Sequence, residues 1–126
     1  MLFARLVFTI AAMFGLLIIP PMFFLEGRIG RDYPPEITHP EYYYGFVGAV
    51  FAWQLVYALV AWDPLRYRPL MLLGALCKLS FATATFILVA LGRAPWGPAM
   101  IVSVDVILAA LFIVAFRKTR PPRWAV

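Results

Sequence analysis

From Leu70 to Gly92 the chain reads LMLLGALCKLSFATATFILVALG, an apolar run long enough to cross a bilayer, with Lys78 well inside it. A hydrocarbon core of ~30 Å requires about 20 apolar residues of helix. Inside lipid, only helices and closed barrels satisfy every backbone donor and acceptor. The run must therefore be helical, and the stretches 3–24, 42–62, 70–92 and 98–116 all meet the same requirement. At 64% hydrophobic and 13% charged residues, with mean hydropathy +0.88, these 126 residues cannot hide their apolar surface in a water-soluble core; soluble domains carry about 25% charged residues. The expected fold is all-α: a transmembrane four-helix bundle running up-down-up-down. It forms one domain over 1–116, with a periplasmic connection at 26–41 and a basic cytoplasmic tail at 117–126.

The first run starts behind Arg5 and continues to Leu25. A signal peptide shares the basic start, but its apolar region is about 7–15 residues long and is followed by a small-residue cleavage site. This run is longer and ends in PPMFFLEGR, so a retained membrane helix is expected. Ala11 and Gly15 supply a small face for close helix contact. Pro20 and Pro21, unable to donate hydrogen bonds, should kink or end the helix. The connection EGRIGRDYPPEITHPE is rich in turn formers, and Thr38 with Glu41 fits a capping box, placing the next helix start at Thr38 or His39. Tyr42, Tyr43 and Tyr44 follow at the level where aromatic belts sit. Gly45, Gly48 and Ala52 would admit a neighbour. The short connection DPLRYRP makes spans two and three antiparallel neighbours, and GRAPWG does the same for spans three and four.

Orientation follows from the basic residues. Arg5, Arg66, Arg68, Arg117, Lys118, Arg120 and Arg123 fall on one side, against Arg28, Arg31 and Arg93 on the other. The Lys/Arg excess marks the cytoplasmic side, so both termini are expected there. The formal charge of +5 thus reads as topology, and nucleic acid is not expected as a partner. Lipids are.

Two ionisable residues lie inside apolar runs: Lys78 and Asp105. Such groups are costly in lipid and are functional-site hypotheses by default. With the third turn centred near 95, Lys78 is 17 residues from it and Asp105 is 10, a mismatch of about 10 Å at 1.5 Å per residue. A direct pair then needs tilt or a kink. Gln54 and Lys78, each 12 residues from a centre near 66, lie at one level; so do Thr85 and Asp105, each 10 from 95. The expected arrangement is a ladder, Gln54–Lys78–Thr85–Asp105, with Gly74, Lys78, Ala82 and Thr85 forming one small, polar interior face. These residues serve either as interhelical glue or as a substrate, proton or cofactor site.

The chain holds no HExxH, CxxC, phosphate-binding glycine loop or nucleophile elbow. His39 is the sole histidine; with Glu36 and Glu41 it lacks fixed metal-ligand spacing, so a solvated loop is the expectation and no metal site is assigned. Cys77 permits no intramolecular disulfide and reads as a packing residue rather than a reactive thiol. An enzyme is the less favoured class, since a sterol-type isomerase would want two buried acids and only Asp105 is inside.

The segments EGRIGRDYPPEITHPEYYYGF and DPLRYRPLM, with the following Lys78, resemble a group of short bacterial four-span membrane proteins that carry no assigned activity. The resemblance implies an inner-membrane setting and no catalytic residue. It also implies an acidic residue directly before the lysine, where this chain has Cys77. The four-span layout is similar to that of DoxX-like proteins, some of which associate with quinone-linked oxidoreductases. The leading functional expectation is an accessory or interaction subunit, packed against another membrane protein or a second copy of itself. The alternative is a carrier or redox subunit for a small molecule, a proton or a quinone-linked reaction, using Lys78 and Asp105. No cofactor is indicated.

Overall fold

Four apolar helices and one short polar helix make up the protein. The computed structural model describes residues 1–121, with α1 at Leu2–Met22, α2 at Glu26–Asp32, α3 at Pro40–Trp62, α4 at Arg68–Ala90 and α5 at Trp96–Lys118. α1, α3, α4 and α5 are each long and apolar enough to cross a membrane, and no more than a third of any span's most apolar window is buried. The outer surface is as apolar as the interior: Leu2, Leu17, Leu72, Ile107 and Met100 all point outward. Helices that are hydrophobic all round belong in lipid. The architecture is a four-helix transmembrane bundle.

Chain punctuation sets the helix ends. Pro40 and Pro69 lie in the first turns of α3 and α4, where a missing N–H costs nothing. α4 stops where Gly92 takes φ +69 and the Arg93 N–H returns to the Leu88 carbonyl at 2.8 Å, a left-handed closure suited to glycine. α1 passes through Pro20 and Pro21 and ends at Met22, whose carbonyl accepts the Tyr43 hydroxyl at 2.6 Å. That bond ties the end of α1 to the start of α3. Tyr43→Phe is expected to cost about 1 kcal/mol, readable as a lowered midpoint in denaturant titration of the detergent-solubilised protein.

Three local expectations are corrected. The connection at 26–41 contains a two-turn helix, α2: Glu26 in its first turn and Arg31 in its last complement the helix dipole, and Arg28 pairs with Asp32 at 3.6 Å. Thr38 makes no capping box: His39 is the N-cap, with no side-chain cap bond, and its Nδ1 lies 3.2 Å from Glu41 Oε1. The tail begins later than expected, since Arg117 and Lys118 complete α5 and Thr119 is buried against Ala115. Residues 122–126 of that tail, with Arg123, lie outside the described residues.

Packing between helices departs further from the sequence expectation. α4 packs along α5 and α1 along α3, with α1 also touching α5. α3 and α4, joined by a short turn and expected as close neighbours, meet only lightly. The core sits towards the end holding both chain termini. Phe8 stacks on Phe112 with centroids 4.1 Å apart, and Tyr57 closes on Phe112 at 5.1 Å. Small residues make this possible: Ala4, Ala11, Ala12, Ala75, Ala109 and Ala115 surround the rings, and a Cβ on Gly74 would come within 2.9 Å of Tyr57. The same end is joined at its rim, where Arg68 donates to the Phe116 carbonyl at 3.0 Å and Lys118 lies 4.5 Å from the Phe3 ring.

Candidate functional site: an ion pair at the floor of an interhelical cleft

Because the aromatic cluster joins the helices at one end only, the other half of the bundle stays open inside. A cleft of about 400 Å3 lies there, bounded by all four long helices and by α2. Its walls are aliphatic and aromatic, Ile18, Phe46, Val50, Trp53, Phe81 and Ile101 among them, and Leu25, Ile29 and Tyr33 cover its outer end. Tyr33 reaches the start of α5, where a Cβ on Gly97 would lie 2.8 Å from its hydroxyl. Lys78 and Asp105 also line the cleft.

Lys78 Nζ donates to Asp105 Oδ1 at 2.6 Å, and the two side chains are 9% and 19% exposed. The ammonium also lies 5.3 Å from the Tyr57 ring centre and 6.0 Å from that of Phe112, whose negative faces attract it. The direct pair replaces the expected ladder, and the reason is geometric. α4 ends at Ala90 and α5 begins at Trp96, so the turn is centred at 93 rather than 95. Lys78 and Asp105 are then fifteen and twelve residues from the centre, and the mismatch shrinks to about 4–5 Å at 1.5 Å per residue. A lysine stem spans that distance while its charge stays at the far end.

The other two members of the ladder are buried but bonded elsewhere. Gln54, expected beside Lys78, gives its Nε2 proton to the Val50 carbonyl one turn back, at 2.9 Å. Its Oε1 is buried without a hydrogen-bond partner. The amide fills a notch in α1, for a Cβ on Gly15 would land on Gln54 Oε1 and Cδ. Gln54 therefore joins α3 to α1, not to α4. Thr85 shares the buried face of α4 with Gly74, Lys78 and Ala82, but the carboxylate of Asp105 goes to Lys78. Seven residues separate Lys78 from Thr85, about 10 Å along the helix.

Of the residues around the cleft, the sequence pointed to Gln54, Lys78 and Asp105, and to Gly15 as part of a contact face, but not to its aliphatic and aromatic walls. Phe112 carried no signal, because one phenylalanine in AALFIVAF is indistinguishable from its lipid-facing neighbours. Among the described residues no three His, Cys, Asp or Glu side chains come together as metal ligands. Comparison with protein-family models, with curated proteins and with solved structures finds no match to this chain.

Proposed function

We propose that this multi-pass membrane protein binds a small molecule of the bilayer in its interhelical cleft, with Lys78 and Asp105 meeting the molecule's polar end. One observation carries the reading: a largely buried ion pair forms the floor of an apolar cleft about 400 Å3 in size. Ligand sites are characteristically mostly apolar, with a few convergent polar groups. Structural glue alone would be served by a pair sealed within the packed aromatic end, whereas this pair borders open space. The test is gentle extraction followed by native mass spectrometry. The wild-type protein is expected to retain a bilayer-derived adduct that the cleft-filling variant Val50→Trp loses while keeping its helical circular dichroism. Equal adducts on both proteins would sink the reading.

A second reading, an accessory subunit that packs against another membrane protein or its own copy, draws on α3. Gly45 and Gly48 have nothing within 4 Å of a hypothetical Cβ, leaving a shallow outward face where a helix backbone could approach. Cysteines placed there in a Cys77→Ala background should crosslink in native membranes, and unreactive positions would remove this reading. The basic excess at the end holding both termini supports a cytoplasmic placement of that end in a bacterial inner membrane. A reporter fused after Val126 is expected to be active on the cytoplasmic side.

A further inference from the structure

We infer that the cleft selects a neutral, hydroxyl-bearing amphiphile rather than an ionic lipid. The inference rests on the cleft being a ligand site and names its ligand class. Head chemistry comes from the floor. Asp105 Oδ1 takes the bond from Lys78 at 2.6 Å, which leaves Oδ2 as an acceptor and two ammonium protons as donors. The pair is already neutral as a unit. An anionic head would sit unpaired beside Asp105 and a cationic head beside Lys78, each a charge withdrawn from water without a counterion. A hydroxyl meets both demands, donating to Oδ2 and accepting from the ammonium. The apolar walls from Val50 to Ile101 then hold its hydrocarbon portion.

Trp53 lines the cleft and reports occupancy, once Trp62, Trp96 and Trp124 are replaced by Phe. Three omega-brominated undecyl probes are compared as quenchers of its fluorescence: the alcohol, its sulfate ester and the trimethylammonium analogue. The alcohol is expected to quench saturably at a concentration at least about tenfold below either ionic probe, equivalent to ~1.4 kcal/mol. Asp105→Asn should move the preference to the sulfate, and Lys78→Met should move it to the ammonium probe. Equal potency of the three heads on the wild-type chain would overturn the inference while leaving the cleft a binding site. A preference order unchanged in both variants would overturn it as well. Failure of every probe to quench saturably would overturn the cleft reading itself. The wild-type comparison needs neither charge variant to fold.

Discussion

Asp105→Leu is expected to destabilise the folded bundle by about 3–5 kcal/mol, the usual cost of removing one partner of a buried ion pair. The size follows from what is left behind. Lys78 is 8% exposed and held beside Tyr57 and Phe112, so without the carboxylate its ammonium loses the charged partner it is paired with. Lys78→Met/Asp105→Leu should recover most of the loss, because replacing both partners by apolar groups of similar size is often close to neutral. Reversible unfolding in mixed micelles measures all four corners of the cycle. A single variant as stable as wild type would mean that the two charges do not depend on each other. An irrecoverable double variant would point to a packing defect at position 105 instead.

Gly15→Ala is expected to cost about 1–3 kcal/mol, although one methyl is a small change, because overpacking a filled interior forces displacement. The space beside Gly15 is already occupied: the added carbon would coincide with the amide of Gln54. Either α1 and α3 move apart, or Gln54 gives up its bond to Val50 and swings into the cleft. Gln54→Ala should be mild alone, since it removes an amide whose Oε1 lacks a partner, and should rescue Gly15→Ala. The double variant is expected to recover most of the single variant's loss, as interacting neighbours do in a cycle. Simple addition of the two effects would show that the notch does not bind the helices together. Gly45→Ala on the same helix pair supplies the contrast, because open space surrounds that position and the expected change is within about 0.5 kcal/mol.

Both predictions concern contacts between helices, and that is where the sequence stopped being informative. The four spans were legible because helix formation in lipid is a local matter. Each run of about 20 apolar residues must satisfy its own backbone, wherever its neighbours lie. The inward face of α4 was legible too. Gly74, Lys78, Ala82 and Thr85 recur at helical spacing among bulkier residues, and all four are buried. The charge flanks needed no tertiary information to be grouped by side.

Partner choice was a different matter. The connections 63–67 and 91–95 are equally short, yet only the second joins helices that pack along their length. Loop length limits the distance between helix ends and says nothing about splay. Splay was decided by shape: Gly74 lets Tyr57 and Phe112 converge at one end, while Phe46, Phe81 and Trp53 hold the other end open around the cleft. In a chain whose lipid-facing and core-facing residues are alike, hydropathy cannot tell which phenylalanine is buried. The ion pair shows the same limit. A two-residue error in the turn centre moved Lys78 and Asp105 about 6 Å further apart on paper, enough to favour Gln54 as the lysine's partner. That Lys78 and Asp105 lie inside the membrane is written in the sequence; that they meet at 2.6 Å on the floor of a cleft follows only from how α4 and α5 pack.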